Sequence, residues 1–173
     1  PFNEILNVVA PASDVEISDL DGDGDKDVIV ASRDNNVFVF ENTTSETFTF
    51  GPGRRLFDAG GTASPDRFYS IAISDIDQDG ILDIIPATGG AQVIYLKGDG
   101  ALSFEQKFVS HILLENMAEI SVGDTNNDGI PDFYFGSYRP NGGGIIQSNS
   151  LGGYEQDDLE ISRGGPTRST FED

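Results

Sequence analysis

The sequence predicts an all-β protein made of four-stranded antiparallel β-propeller blades, with three blades in this chain. The first observation behind this prediction is an acidic loop pattern that occurs three times, starting at residues 19, 75 and 124. The second is that three short strand-like segments, separated by turns, follow each loop. A period of about fifty residues suits one four-stranded blade.

Each repeat begins with a strand in which apolar and polar residues alternate up to the first acidic residue of the loop. These first strands are residues 15–19, 71–75 and 120–124. A second, almost wholly apolar strand starts at the last acidic residue of each loop. The second strands are residues 27–31, 83–85 and 132–135. A continuous apolar strand is covered on both faces, as the stacking of blades requires.

Turns rich in Gly, Asn and Asp separate the second strand from a third, and a further turn leads to a fourth. The third strands are predicted at residues 37–40, 92–96 and 145–147. The fourth strands are amphipathic, which predicts an outermost position, and cover residues 48–57, 104–112 and 154–161. No segment has the apolar spacing of a long helix.

The repeats divide the chain into three blades with a partial element at each end. The blades are assigned to residues 14–66, 67–117 and 118–162. Residues 1–13 are interpreted as the outer strand of a preceding blade, and residues 163–173 as a connection toward a further blade. Because a propeller closes with four to eight blades, we expect the chain to be part of a larger ring. The alternative is that identical chains complete the ring by association.

The three loops place oxygen-bearing residues at positions 1, 3, 5 and 9, with a glycine at position 6. These side chains are Asp19, Asp21, Asp23 and Asp27, then Asp75, Asp77, Asp79 and Asp83, then Asp124, Asn126, Asp128 and Asp132. The glycine permits the sharp turn that brings the backbone carbonyl of position 7 inward, from Asp25, Ile81 and Ile130. Four carboxylates brought together without an ion would repel one another. An all-oxygen ligand set favours Ca²⁺, so the sequence predicts three calcium sites.

Two other interpretations of these loops were weighed. An Asp- and Gly-rich run is also typical of a solvated turn, but three copies with the same ligand positions favour a metal site. An EF-hand has the same early ligands and ends in a bidentate Glu between two helices. Position 12 is occupied here by Val30, Pro86 and Phe135, which cannot ligate through their side chains. The flanking segments are predicted strands, which excludes an EF-hand.

The combination of a strand, the loop pattern and an apolar strand resembles the FG-GAP and VCBS repeat family, whose members include the β-propeller head of integrin α subunits. The resemblance implies calcium held between the first and second strands of each blade, and ligand binding on the opposite face. On this chain the opposite face would display Arg33, Arg67, Tyr69, His111, Tyr138 and Arg139. Arg and Tyr side chains in loops suit the recognition of sugars, carboxylates or protein segments.

Composition limits the classes of partner and site. The chain has 30 acidic and 10 basic residues and a formal net charge of −20, which disfavours nucleic acid and anionic membranes as partners. With no cysteine, it can form neither disulfides nor thiolate metal sites. No apolar run has the length of a membrane span. The chain begins with Pro1 rather than Met, so we expect it to be a piece of a longer product. We also expect that product to be extracellular, either secreted or on the cell surface.

These observations predict a non-catalytic calcium-binding module for adhesion or for the recognition of a glycan or protein. The loop carboxylates are explained by calcium, and His111 is the only histidine, so no catalytic residue is assigned. One alternative is the propeller portion of a secreted polysaccharide-degrading enzyme. Another is a structural subunit of an extracellular ring or filament, in which open blade edges pair with neighbouring chains.

Overall fold

A computed structural model of the chain describes residues 11–33, 36–43, 49–58, 68–88, 92–111, 117–137, 143–148 and 154–159. These residues form twelve strands and no helix. The strands are β1 (Ala12–Ser18), β2 (Asp27–Ser32), β3 (Asn36–Phe40), β4 (Arg54–Asp58), β5 (Ser70–Ser74), β6 (Asp83–Ala87), β7 (Gln92–Gly98), β8 (Phe104–His111), β9 (Met117–Gly123), β10 (Asp132–Ser137), β11 (Gly143–Ser148) and β12 (Tyr154–Leu159). In the part of the chain that is described, no helix is present that is long and apolar enough to cross a membrane.

The strands form three separate antiparallel sheets of four strands, each in sequence order. We call them blade 1 (β1–β4), blade 2 (β5–β8) and blade 3 (β9–β12). In all three, the residue that ends the first strand pairs with the aspartate that begins the second: Ser18 with Asp27, Ser74 with Asp83, and Gly123 with Asp132. The predicted all-β fold of four-stranded blades, with the fourth strand outermost, is confirmed.

One strand differs clearly from its predicted range. β4 begins at Arg54, although the amphipathic pattern predicted a strand from residue 48. Pro52 has no N–H to donate to a sheet, and the backbone at Gly53 passes so close to Phe40 that a Cβ there would lie 2.5 Å from its ring. Only an isolated bridge between Asn42 and Phe50 precedes this break. Residues 1–10 of the segment interpreted as the outer strand of a preceding blade lie outside the described residues.

Two apolar cores join the blades. Between blades 1 and 2, the buried residues include Ile29, Val39, Ile71, Ile84 and Leu96. Between blades 2 and 3, they include Ile85, Val93, Ile120, Phe133 and Ile146. The second strand of each blade supplies residues to both of its faces, and β2 and β6 are buried along their whole length. This confirms the expectation that continuous apolar strands are covered on both sides.

The blades pack through equivalent positions of their first strands, and blade 1 leaves those positions open. Ile71 in blade 2 and Ile120 in blade 3, each four residues before the loop, are 2% and 5% exposed. The equivalent Val15 of blade 1 is 49% exposed, and Ile17 is 63% exposed. The three described sheets therefore do not close into a ring. On blade 1, the face that would pack against a preceding blade is exposed along its first strand, β1.

The first strands of the three blades lie side by side, since β5 contacts both β1 and β9. They line a groove of about 400 Å³ whose walls combine apolar residues such as Ile73 and Val122 with the polar Glu16, Ser18 and Ser121. Each acidic loop connects the first strand of its blade to the second, so the three loops lie at the same end of their blades.

A carboxylate also joins blade 1 to blade 2. The Oδ2 atom of Asp14 on β1 accepts hydrogen bonds from the Ser70 hydroxyl and from the Ile71 backbone N–H, both at 2.9 Å. Ile71 belongs to the core between these blades. These two hydrogen bonds therefore fix the position of β5 along β1.

Replacing Asp14 with alanine should lower the free energy of unfolding by about 1–2 kcal/mol, because the Ile71 N–H loses its acceptor beside the apolar core. Urea denaturation followed by circular dichroism measures this change. The control is Glu105→Ala, which removes an exposed carboxylate paired with Lys107 and should change stability by less than about 0.5 kcal/mol. Equal effects of the two substitutions would contradict a specific role for Asp14.

Candidate metal centre

The three loops share one backbone conformation. We call residues 19–27 loop 1, residues 75–83 loop 2 and residues 124–132 loop 3. Positive φ angles occur at position 6 in all of them, at Gly24 (96°), Gly80 (86°) and Gly129 (83°), as the predicted turn requires. Position 4 also has positive φ: Gly22 (74°), Gln78 (60°) and Asn127 (59°). The second left-handed position was not predicted, because a glycine marks it only in loop 1.

The carboxylate at position 1 closes each loop on itself. Its Oδ2 atom accepts the backbone N–H of the position 6 glycine, at 3.0 Å from Gly24 to Asp19, 2.8 Å from Gly80 to Asp75 and 2.8 Å from Gly129 to Asp124. The carboxylate at position 5 accepts the N–H of position 7, from Asp25, Ile81 and Ile130, at 2.8–2.9 Å. These hydrogen bonds hold the loop backbone in a tight turn with its acidic side chains on the inside.

The aspartate at position 9 is buried in every blade and ties the loop to the third strand. One oxygen of Asp27, Asp83 and Asp132 accepts the N–H of position 2, at 3.0, 2.9 and 2.7 Å. The other oxygen accepts an N–H from the end of the third strand or just beyond it. These donors are Asn42, Gly98 and Ser148, at 3.0, 2.9 and 2.7 Å.

Burial of these aspartates perturbs their protonation. Burial raises the pKa of the Asp27 and Asp83 carboxyls above the ordinary value, although the backbone N–H groups that bind them lower it in part. Burial acts in the same direction on Asp132, but hydrogen bonds from Thr125 and Ser148 outweigh it and hold its pKa below the ordinary value. A nearby cation stabilises the ionised form of a carboxyl, which would offset the cost of burial in loops 1 and 2.

Carboxylates at positions 1, 3 and 9 converge in two of the loops. Oxygens of Asp19, Asp21 and Asp27 lie within 4.8 Å of one another, and so do oxygens of Asp75, Asp77 and Asp83. The set contains only hard oxygen donors, which fits Ca²⁺ or Mg²⁺ better than a transition metal. The alternating spacing predicted four side-chain ligands in each loop, and the clusters of loops 1 and 2 contain three of them, without Asp23 or Asp79 of position 5.

Loop 3 is held together differently. Its position 3 is the neutral Asn126, whose amide Nδ2 donates to Asp128 at 3.1 Å and to the Ser148 carbonyl at 3.1 Å. The Ser148 hydroxyl donates to Asp128 at 3.0 Å and lies 3.4 Å from the carbonyl oxygen of Ile130, the predicted position 7 ligand. Within the described residues, loop 3 has no cluster of three converging carboxylates. Ser148 was not predicted because it reaches the loop from β11.

Loop 2 contains a basic side chain that sequence reasoning missed. Lys97 on β7 donates from Nζ to Oδ2 of Asp79 at 2.6 Å and also binds Oδ2 of Asp77. The hydrogen bond from Lys97 lowers the pKa of Asp79, and the two carboxylates raise the pKa of Lys97 above its ordinary value. No local sequence pattern signals this contact, because Lys97 reaches the loop from β7, whose register against β6 pairs Leu96 with Ile84.

Adjacent loops are also joined to each other. The side-chain amide of Gln78 in loop 2 donates to the backbone carbonyl of Gly129 in loop 3 at 2.7 Å. Gln78 has the left-handed conformation of position 4. The two loops therefore lie in contact at the same end of their blades.

The predicted ligand face is only partly described. Arg33 follows β2, Tyr69 precedes β5, and His111 ends β8, so all three lie at the ends of their strands opposite the loops. The Arg33 N–H donates to the Pro11 carbonyl at 3.1 Å, and the Tyr69 N–H donates to the Ala87 carbonyl at 3.2 Å. Arg67, Tyr138 and Arg139 lie outside the described residues. The role of all six residues in ligand binding stays a prediction.

Solved structures similar to this chain include two crystal structures of BBS1N in complex with ARL6DN, one soaked with mercury and one with lead. Sequence identity is 12% and 11%, and the TM-scores are 0.40 and 0.41. The alignments cover 91% of this chain, and 56% and 59% of the BBS1N chains. The chain therefore spans less than two thirds of their length. No curated protein matches the chain significantly.

A family model described as an FG-GAP-like repeat matches the chain twice, at residues 19–86 and 75–135. Each match begins at position 1 of an acidic loop, and the first extends into the second strand of the next blade. Together the matches span more than half of the 173 residues. With its repeated loops and its three four-stranded blades, the chain belongs to the FG-GAP-like repeat family.

Proposed function

We propose that the chain is a calcium-binding β-propeller module of a secreted or cell-surface protein, and that it recognises a glycan or protein ligand without catalysis. The observation that carries the calcium proposal is the convergence of three carboxylates in loop 1 and in loop 2. The shared backbone conformation of all three loops supports a common purpose.

Calcium would stabilise the fold because its positive charge attracts the loop carboxylates, which repel one another when no ion is bound. Asp19, Asp21 and Asp27 bring like charges within 4.8 Å of one another at the junction of β1 and β2. A divalent cation bound by these oxygens, together with Asp23 and the carbonyl of Asp25, would join the two strands. Because the folded loop creates the site, ion binding and folding are coupled.

The extracellular location is supported by the type of site. The loops lack a bidentate Glu at position 12, and their remaining acidic positions are largely accessible to solvent. Sites of moderate affinity are suited to extracellular calcium, for which dissociation constants of about 10⁻⁴–10⁻³ M are typical. Ligand recognition would then use the opposite ends of the strands, where Arg33 and Tyr69 lie.

Adding calcium should raise the melting temperature of the chain, and EDTA should lower it again, since an ion that binds only the folded state stabilises it by mass action. At a concentration one hundred times the dissociation constant, one site contributes about 2.7 kcal/mol. Differential scanning calorimetry measures the shift, with atomic absorption to establish that EDTA has removed the metal. An unchanged melting temperature in metal-free protein would contradict the proposal.

The third loop should bind calcium most weakly, because it has three carboxylates and a neutral Asn126, although Pro131 stiffens it. Isothermal titration calorimetry on Asp75→Ala and Asp124→Ala compares the second and third sites. Asp75→Ala should remove a tighter binding event than Asp124→Ala. The reverse order would show that carboxylate number does not set the ranking.

A second candidate function is that of a structural subunit that assembles with further copies of the chain. The exposed Val15 and Ile17 favour it, because they lie on the same face of blade 1 as the buried Val28, Val30 and Phe40. In blades 2 and 3 the equivalent face packs against the preceding blade. A second copy that covers this face would bury both exposed side chains.

If copies associate through this face, sedimentation velocity should show a larger species as concentration rises, and Ile17→Asp should remove it. Phe108→Asp is the matched control, because Phe108 is a comparably exposed apolar residue on the outer strand β8. That variant should associate as the unchanged chain does. A chain that remains monomeric at all concentrations, or equal effects of both substitutions, would exclude this candidate.

A further inference from the structure

The residue directly before the N–H donor to the position 9 aspartate differs in charge among the blades. Asn42, Gly98 and Ser148 are the donors, so the equivalent preceding residues are Glu41, Lys97 and Gln147. The same equivalence follows from strand pairing, since Val28, Ile84 and Phe133 pair with Phe40, Leu96 and Ile146. Of the three equivalent residues, only Lys97 carries a positive charge.

Each of these residues has a different relation to its loop. The Lys97 ammonium contacts Asp77 and Asp79, which occupy positions 3 and 5 of loop 2. The Gln147 amide in blade 3 instead donates to the Thr125 hydroxyl at 3.1 Å. Glu41 in blade 1 is exposed, directly follows β3 and carries a negative charge. In blade 2, therefore, the Lys97 ammonium lies against two of the carboxylates that are predicted to bind a metal ion.

We propose that Lys97 is a built-in counter-cation of loop 2, which competes with calcium for Asp77 and Asp79 and makes this site respond at higher calcium concentrations than loop 1. The inference rests on the calcium binding proposed above. Lys97 then lowers the calcium affinity of loop 2. Loops 1 and 2 differ in affinity although each has four carboxylates at its predicted ligand positions.

The competition follows from the shared carboxylates. An ion bound in loop 2 would use oxygens of Asp77 and Asp79, and both residues already accept hydrogen bonds from the ammonium. An ammonium has three donors and no lone pair, so it cannot become a metal ligand. Its positive charge would also repel a divalent cation at this distance. Calcium binding therefore requires the ammonium to leave.

The side chain is able to leave. The Lys97 side chain is 28% exposed, and a lysine stem of four carbons is flexible. Displacing the ammonium into water exchanges an ion pair for hydration, and ion pairs this accessible to solvent contribute little to stability. Calcium can therefore displace Lys97, at the cost of a lower affinity.

Lys97 has a second effect when calcium is absent. Its ammonium offsets the repulsion between Asp77 and Asp79, so loop 2 keeps its conformation without the metal. Loop 1 has no lysine at the equivalent position, so its carboxylates lack this counter-charge.

The test is calorimetric titration of calcium into the full 173-residue chain and four variants. Lys97→Gln gives blade 2 the residue of blade 3 and should tighten one site about three- to fivefold, with the other sites unchanged. Lys97→Arg keeps the charge and should stay within about twofold of the unchanged chain. Glu41→Gln, the matched change in blade 1, should tighten no site. The effect of Lys97→Gln should be lost when Asp75→Ala is also present.

Melting curves provide a readout that does not depend on bound metal. In EDTA, Lys97→Gln should melt at a lower temperature than the unchanged chain, while Lys97→Arg should not. In saturating calcium the difference should disappear or reverse. If Lys97→Gln folds only with calcium bound, back-titration with a chelator measures the same affinity.

The possible failures can be told apart. Calcium binding that Lys97→Gln leaves unchanged, or that Lys97→Arg tightens equally, overturns the role of Lys97 and leaves the proposed function standing. An unchanged chain that neither binds calcium nor melts differently with it overturns both.

Discussion

The position of every loop depends on one buried carboxylate in each blade, at Asp27, Asp83 and Asp132. Both oxygens of each carboxylate accept backbone N–H groups, one from the loop and one from the third-strand side. A buried N–H without an acceptor is costly, so loop and sheet can separate only by exposing these groups to water. Because the same aspartate begins the second strand, it also fixes the pairing with the first.

The sequence predicted the features that depend on local order along the chain. Alternating aspartates predicted the convergence of Asp19, Asp21 and Asp27, and apolar runs predicted the second strands, because both patterns follow from residues close in sequence. Lys97 and Ser148 could not be found in this way, since they reach the loops from third strands whose register only the fold defines. The late start of β4 depends on the contact between Gly53 and the Phe40 ring, which is equally non-local.

The three loops combine one backbone with three electrostatic environments. The left-handed angles at positions 4 and 6 and the bonds within each loop repeat in every blade. The groups that approach from the third strand do not repeat: a lysine ammonium meets loop 2, and a serine hydroxyl meets loop 3. The conformation is therefore set by the loop itself, while the polar and charged groups that surround it come from the neighbouring strand and differ among the blades.

The position 9 contacts span only 7 residues to the loop and 15 or 16 residues to the third-strand donor. Each blade therefore completes its defining polar contacts within a short stretch of chain, at a low entropic cost of loop closure. Among the described residues, blade 1 packs against blade 2 and blade 2 against blade 3, each time through an apolar core. Such an array behaves as a one-dimensional series, in which a duplicated gene segment adds a complete unit and one new interface without disturbing the units already present.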